Sequence, residues 1–254
     1  MTILCIETST SVCSAAVCKD GMPIKQCICR EGSNHARLLP RYIEELLSFT
    51  REQGLVIDAV ALSEGPGSYT GLRIGTSTAK GLCYGLNIPL IPIPTLVVLC
   101  EAARERLEES GERLEETTLV PLVDARRMEV YAAIYDSRQL KVESLKLKEN
   151  SARAVVVENE ESLCSVSPKD GLYSVSECNE RSIYYFGDGA EKCSKIFTKP
   201  NWHYIPDIVP EAQYMGVLAD KGERLEVRGE SIAYYEPYYL KEFIAAPSHV
   251  KGLS

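Results

Sequence analysis

The sequence predicts an α/β protein built of two lobes. Segments with strand patterns alternate with segments of helical periodicity along the 254 residues, which is typical of mixed sheets flanked by helices. A strand–loop–strand opening at the start of the chain recurs after residue 118. The charged stretch 108–113 lacks apolar periodicity, so we place the boundary there, with one lobe over 1–105 and the other over 118–254.

The first lobe begins with three strand-like runs, at residues 3–6, 14–18 and 24–29. Asp20-Gly21 between the second and third runs is a hairpin signal, so the runs predict an antiparallel meander. Apolar residues at helical spacing then predict an amphipathic helix over 35–50. The remaining patterns predict, in order, a strand at 57–62, a helix at 71–86, a strand at 88–93 and a helix at 95–109.

The second lobe repeats this opening with strands at 118–123 and 129–135. Residues 158–181 are rich in Glu, Ser, Asn and Lys, which predicts a surface insertion. A strand at 182–186 and a turn then lead into a helix near 191–197. Pro210 occupies the first position of a further predicted helix, from 210 to about 221, because proline suits the first turn. The aromatic tail at 234–240 is expected to pack against the rest of the chain.

Composition narrows the class of protein. Hydrophobic residues make up 45% and charged residues 25% of the chain, as in soluble globular proteins, so disorder is excluded. Acidic residues outnumber basic ones 36 to 28, which disfavours autonomous binding of nucleic acid. The ten cysteines include no Cys-x-x-Cys pair and several lie in strand-like runs, so we expect reduced core thiols and no metal site.

The beginning of the chain lacks the features of a signal peptide, and no apolar run reaches the ~18 residues of a membrane helix. We therefore expect a cytoplasmic protein without membrane contact.

The most informative segment is the glycine-rich loop at residues 63–71. Gly65 and Gly67 allow a tight turn between strand and helix, after which Ser68, Thr70 and backbone N–H groups lie at a helix N-terminus. That arrangement suits phosphate. The P-loop pattern Gly-x-x-x-x-Gly-Lys-Ser/Thr is absent, and a tight turn without a ligand remains the alternative.

The helix after this loop carries small residues every four positions: Gly71, Gly75 and Ala79. Glycines in a helix cost about 1 kcal/mol each relative to alanine, so a close contact is expected in compensation. We predict an interface with a second subunit at Gly71, Leu72, Gly75 and Ala79. A partner helix within the same chain is the alternative.

The sequence resembles the TsaB (YeaZ) family. The resemblance covers about residues 1–136, with weaker matches at 187–190 and 238–240. It is carried by Ile3-Leu4-Cys5-Ile6-Glu7-Thr8-Ser9, by Gly65-Pro66-Gly67-Ser68-Tyr69-Thr70-Gly71-Leu72-Arg73-Ile74-Gly75 with Ala79-Lys80-Gly81-Leu82, and by Asp124-Ala125-Arg126-Arg127-Met128-Glu129-Val130-Tyr131.

The resemblance implies an actin-like, sugar-kinase-like ATPase (ASKHA) fold. It also implies a non-catalytic subunit that binds and activates its paralogue TsaD and works with the ATPase TsaE. Together these proteins transfer a threonylcarbamoyl group to the adenosine beside the anticodon of ANN-decoding tRNAs. In this scheme the chain contacts tRNA only through the complex, and forms a homodimer when alone.

The catalytic paralogue is recognised by a His-x-x-x-His pair that holds a metal. Here His35 is followed four residues later by Leu39, and neither His203 nor His249 has a histidine partner at that spacing. We therefore predict no catalytic residue and no metal.

The resemblance makes ATP or ADP the candidate cofactor, because Glu7 and Asp124 occupy the places where kinases of this fold put acidic residues. Loop capping is the alternative role for these two residues. Arg126 and Arg127 are candidate contacts for phosphate or tRNA, and surface ion pairs are the alternative role. The candidate nucleotide contacts are Glu7, Thr8, Ser9, Gly65, Gly67, Ser68, Thr70, Asp124, Gly187, Asp188 and Gly189.

Three functions compete. The first is the accessory subunit described above. The second is an enzyme, either a small-molecule kinase of the same superfamily or a peptidase-like relative, although no Ser-His-Asp or Cys-His arrangement is identifiable from spacing. The third is a metabolite-binding homodimer without a tRNA role.

Overall fold

The computed structural model describes residues 1–32, 34–112, 114, 117–137, 152–164, 181–221 and 226–241. Its first half holds a five-stranded sheet of order β3-β2-β1-β4-β5. Strands β1 to β3 form the predicted antiparallel meander, whereas β4 and β5 run parallel to β1. The elements of this half are β1 (Thr2–Glu7), β2 (Cys13–Lys19), β3 (Met22–Cys29), α1 (His35–Glu52), β4 (Ala59–Gly65), α2 (Tyr69–Leu86), β5 (Leu90–Pro94) and α3 (Thr95–Glu109).

The first sheet is covered on both faces, which explains the unbroken apolar run of β1. Leu4 and Ile6 pack in one cluster with α1 and α2, while Ile3 and Cys5 pack in another with a C-terminal helix. Because successive strand residues point to opposite faces, every residue of β1 is buried.

The second half holds a sheet of order β11-β10-β6-β7-β9, with β8 also paired to β6. Strand β10 matches the predicted run 182–186. The elements of this half are β6 (Thr117–Asp124), β7 (Glu129–Ala132), β8 (Tyr135–Asp136), β9 (Arg153–Val156), α4 (Glu160–Cys164), β10 (Ser182–Phe186), α5 (Ala190–Cys193), β11 (Trp202–Tyr204), a 3-10 helix (Ala212–Tyr214), α6 (Met215–Lys221) and α7 (Ser231–Tyr234).

The predicted single strand at 129–135 is wrong, because two short strands, β7 and β8, occupy that region. Both pair antiparallel with β6, and Leu122 faces Ala132 just as Leu119 faces Tyr135. That register places Pro121 opposite the gap. Proline has no N–H to donate to the ladder, so the pairing is interrupted there.

Two predicted helices also require correction. The helix expected near 191–197 ends at Cys193. The helix expected from Pro210 begins only at Ala212, because Glu211 is extended (φ −130°, ψ 145°) and the Ala212 N–H donates to the Ser14 hydroxyl at 2.9 Å. Of the predicted insertion, residues 158–164 include α4 and residues 165–180 lie outside the described part of the chain.

The expectation of reduced, mostly buried thiols is confirmed for the cysteines whose surroundings are described. Eight are free thiols, and seven of these are buried. The Sγ atoms of Cys5 and Cys18 lie 3.8 Å apart without a bond. Among the residues that the structure describes, no helix is long and apolar enough to cross a membrane.

The C-terminal segment returns to the first sheet before it reaches the second. Helix α6 packs on the first sheet through Met215 and Leu218. Residues 226–241, which we call the strap, begin with an antiparallel bridge between Val227 and Leu90 of β5. The strap ends at Lys241, whose ammonium contacts Glu129 of β7. The lobe limits at 105 and 118 stay a prediction.

Candidate functional site

The glycine-rich helix α2 lies directly against the turn that follows β1. The Thr8 hydroxyl donates to the Gly71 carbonyl at 2.9 Å. A Cβ at Gly71 would lie 2.0 Å from the Thr8 carbonyl oxygen, and one at Gly75 would lie 2.3 Å from Thr8 Oγ1. Both distances are far below van der Waals contact. These two glycines therefore allow a close approach within the chain.

The interface prediction for the small-residue stripe must be corrected for this reason. Gly71, Leu72, Gly75 and Ala79 are all buried by residues of the same chain. A second subunit could reach them only by displacing Thr8. The intrachain alternative holds, although the neighbours of Gly71 and Gly75 are the turn after β1 and strand β4 rather than a helix.

The loop before α2 is fastened to the same turn. The Ser68 N–H donates to the Ser9 carbonyl at 2.6 Å, and a Cβ at Gly67 would lie 2.2 Å from that oxygen. The Ser68 hydroxyl caps the helix by accepting from the Gly71 N–H at 3.3 Å. Two N–H groups that a phosphate would use are thus engaged within the chain, while Thr70 is exposed. The contacts of this loop favour the tight-turn alternative.

Glu7 ends β1 as a fully buried carboxylate. Its Oε1 accepts from the Ser9 N–H at 2.6 Å, whereas Oε2 and the Ser9 hydroxyl find no hydrogen-bond partner among the residues described. Burial raises the pKa of Glu7, and the nearby charge of Asp188 acts in the same direction. The acidic groups of the two halves are therefore close enough to repel each other.

The corresponding turn of the second half brings two acidic residues together. The Asp124 N–H donates to Asp188 Oδ1 at 2.9 Å, and the Lys192 ammonium contacts the Asp124 carboxylate. Gly187, at φ +104°, would place a Cβ 2.3 Å from a backbone oxygen of β6, whereas a Cβ at Gly189 would lie 3.0 Å from the Val123 carbonyl carbon, a less severe contact. These glycines thus also serve close packing, and the contact of either turn with a nucleotide stays a prediction.

Three further candidates are placed as follows. Arg126 and Arg127 are exposed in the turn between β6 and β7, both with left-handed backbone (φ 67° and 53°). His35 is buried, and its Nε2 lies 3.1 Å from the Val12 carbonyl. Over the residues the structure describes, no group of three or more potential ligands could hold a metal ion.

The prediction that the aromatic tail 234–240 packs against the rest of the chain is confirmed, although the sequence did not indicate α2 as its neighbour. The Lys80 ammonium donates to the carbonyls of Ala233 at 2.6 Å and Tyr235 at 3.1 Å. The Tyr238 N–H donates to the Glu64 carbonyl at 2.7 Å. Lys80 and Tyr238 do appear in the resembling motifs, but no local pattern indicates that their segments meet. Burial raises the pKa of Glu64 to about 7 beneath this contact.

Two mixed sheets flanked by helices, with an acidic residue at the end of β1 in one and of β6 in the other, define the class as the ASKHA-like α/β fold. Two solved structures of similar proteins from Pseudomonas aeruginosa share this fold. One is described as YeaZ (24% identity, TM-score 0.64) and the other as an uncharacterized protein with similarity to peptidase YEAZ (22%, TM-score 0.67). Each comparison covers 94% of this chain and 99% of the other.

Comparisons at the level of sequence support the same relationship. The family model described as TsaD, tRNA N6-adenosine threonylcarbamoyltransferase, matches residues 31–233. The tRNA threonylcarbamoyladenosine biosynthesis protein TsaB of Haemophilus influenzae is 29% identical over 95% of this chain and 94% of its own length. Its Escherichia coli counterpart is 34% identical over 53% of this chain and 55% of its own length. The chain belongs to the TsaB family, within the wider group that the TsaD model describes.

Proposed function

We propose that this chain is an accessory subunit of tRNA threonylcarbamoyladenosine biosynthesis, which binds and activates a TsaD paralogue and does not itself transfer the threonylcarbamoyl group. Two facts together support this proposal. The Haemophilus relative named for this biosynthesis matches over nearly its whole length. Yet none of the three histidines of this chain has a second histidine four residues away, the pair by which the catalytic paralogue is recognised.

The outer face of α2 is the surface that we assign to TsaD. Thr8 occupies the glycine face and the strap crosses part of the opposite face, so the part of α2 that stays open to another protein lies around Tyr84. Tyr84 is 88% exposed near the end of the helix. Exposed tyrosine side chains are enriched at protein interfaces. Another copy of this chain covers the same face when TsaD is absent.

TsaE and tRNA join this scheme only through the complex with TsaD. The net charge of −8 supports that assignment, since a surface that grips RNA alone needs an excess of cations. A bound ATP or ADP is not required of this subunit.

The decisive experiment is mass spectrometry of tRNA nucleosides after depletion of this protein in its own host. Loss of threonylcarbamoyladenosine, restored by the wild-type gene, is expected. Unchanged modification, or ATP consumption with a small-molecule acceptor by the isolated chain, would contradict the proposal and favour the kinase alternative.

A pull-down of TsaD then tests the surface. Tyr84→Asp is expected to reduce recovery of TsaD at least tenfold, because it places a charge in an apolar contact. Met22→Asp is the matched control, since Met22 is 68% exposed on edge strand β3. Equal recovery with both variants would show that TsaD binds elsewhere.

A further inference from the structure

A cavity of about 580 Å³ lies between α2 and the strap, apart from the exposed Tyr84. Its helix wall includes Arg73, Thr76 and Lys80, and its strap wall includes Glu236 and Tyr239. This volume is within the range of small-molecule sites. The cavity is separated by α2 from the turn at Thr8, so it is distinct from the acidic turns described above.

The helix wall carries two cations without a carboxylate partner in the part of the chain that is described. The Arg73 guanidinium donates to the Tyr69 hydroxyl at 2.9 Å and lies over its ring, 5.4 Å from the centroid. The Lys80 ammonium donates only to backbone carbonyls. Arg104 on α3, by contrast, is paired with Glu101. Lys241 also lines the cavity but contacts Glu129, so Arg73 and Lys80 stand against the single carboxylate of Glu236 and leave positive charge over.

Thr76 supplies a second, independent observation. It is 5% exposed and lines the cavity, and its hydroxyl, which is buried in the present side-chain rotamer, has no hydrogen-bond partner within the described residues. By contrast, the hydroxyl of Thr78, two positions later on α2, does have a partner and donates to the Ile74 carbonyl at 2.9 Å. A buried hydroxyl without a partner is costly, and hydroxyl donors beside a guanidinium suit the oxygens of an anion.

One end of the cavity is aromatic. The rings of Tyr69 and Tyr239 lie with centroids 5.0 Å apart at 40°, one from α2 and one from the strap. An organic body attached to the anion would rest against these rings. Arg73 beside them would hold the anionic group.

We propose that this cavity binds a small organic anion, whose phosphate or carboxylate group is held by Arg73 and Lys80 and, once the Thr76 side chain turns about χ1, by the Thr76 hydroxyl. The ligand would join α2 to the strap, since each contributes one wall. The proposal does not depend on the role in tRNA modification, because it concerns the isolated chain.

Isothermal titration of the purified full chain tests this, with pyrophosphate and citrate as separate probes for phosphate and carboxylate. Saturable binding of at least one probe is expected, weakening as salt is raised. Arg73→Gln is expected to weaken that binding at least tenfold and Thr76→Val several-fold. Arg41→Gln, which removes an exposed cation from α1, is expected to leave it unchanged.

These substitutions are chosen to preserve the fold, since the Arg73 guanidinium bonds to the exposed Tyr69 hydroxyl and valine matches the shape of threonine. Circular dichroism and thermal unfolding of each variant should match the wild type. Absence of binding by both probes at millimolar concentration would overturn the proposal. Equal affinity in the wild type, Arg73→Gln and Thr76→Val would overturn it as well.

Discussion

At the scale of single residues, the glycines of α2 are not equivalent. A Cβ at Gly75 would meet the chain's own Thr8 and Leu62, whereas a Cβ at Gly81 would point into open space among the residues described. Glycine therefore has different roles at these two positions of the same helix. At Gly75 the missing side chain makes room, and at Gly81 it only leaves the helix backbone more flexible.

Alanine substitutions should separate these two roles. Gly75→Ala is expected to lower the free energy of unfolding by about 1–3 kcal/mol through overpacking against Thr8. Gly81→Ala, the matched control, is expected to raise it by about 0.5–1 kcal/mol because alanine is the better helix former. Urea unfolding measures both. A gain from Gly75→Ala would show that the close approach to Thr8 is wrong.

Glu64 should make stability depend on pH. Its pKa in the folded state, about 7, lies above the ordinary value of 4.5, chiefly because of burial. The folded state therefore holds the proton more tightly than the unfolded state. The associated stability is fully present below pH 4.5 and is lost as pH rises towards 7, by up to about 3 kcal/mol.

Glu64→Gln removes that titration. Urea titrations measure the free energy of unfolding of both proteins at pH 5 and pH 8. The difference, variant minus wild type, should be larger at pH 8 than at pH 5. Glu44→Gln, at an exposed position of α1, is the control and should show no such gain. A wild type and Glu64→Gln that respond identically to pH would contradict the raised pKa.

At the scale of elements, α2 is held between two others. Its glycine face packs on the turn after β1, and its opposite side is crossed by the strap, which Lys80 fastens. The strap also covers the end of β4, where Gly65 adopts φ +113°. A Cβ there would lie 2.5 Å from the Tyr238 carbonyl oxygen.

Gly65→Ala should therefore loosen the strap. The left-handed backbone conformation and the clash with Tyr238 together should cost about 1–3 kcal/mol. Hydrogen exchange of peptides from residues 226–241 should become faster, including at the Tyr238 amide. Gly54→Ala is the control, because Gly54 also has positive φ (+62°) but open space around it. Equal exchange in both variants would show that strain alone, and not the strap contact, matters.

At the scale of the whole molecule, the two sheets are connected by contacts that are distant in sequence. Helix α3 packs in one cluster with β6 through Leu96, Leu99 and Leu119, while α6 returns to the first sheet. The strap then reaches from β5 to β7. The surface of this assembly carries a net negative charge, which limits what it binds alone.

The isolated chain is therefore expected to bind tRNA only weakly, with a dissociation constant above about 10 µM at physiological salt, in the non-specific range. Filter binding with tRNA transcripts measures this. Supplied with ATP and threonylcarbamoyl-adenylate but no TsaD, the chain should yield no modified nucleoside by mass spectrometry. Modification under those conditions would refute the assignment as an accessory subunit.

The sequence by itself determined the element types, the α/β class and the family. Apolar periodicity is a local property, so helix α3 was predicted to its observed ends and strand β10 likewise. The error in the strand at 129–135 arose from pairing, because the missing N–H of Pro121 matters only opposite the strand that it faces.

Only the tertiary structure decided which surfaces face inward. The spacing of Gly71 and Gly75 indicates that another segment packs closely against them. Glycine is needed equally whether that segment is Thr8 of the same chain or belongs to another chain. Lys80 meets a carbonyl 153 residues away, and Glu64 acquires its raised pKa from burial beneath the same strap. Such contacts depend on where distant segments pack, which no local pattern of residue types encodes.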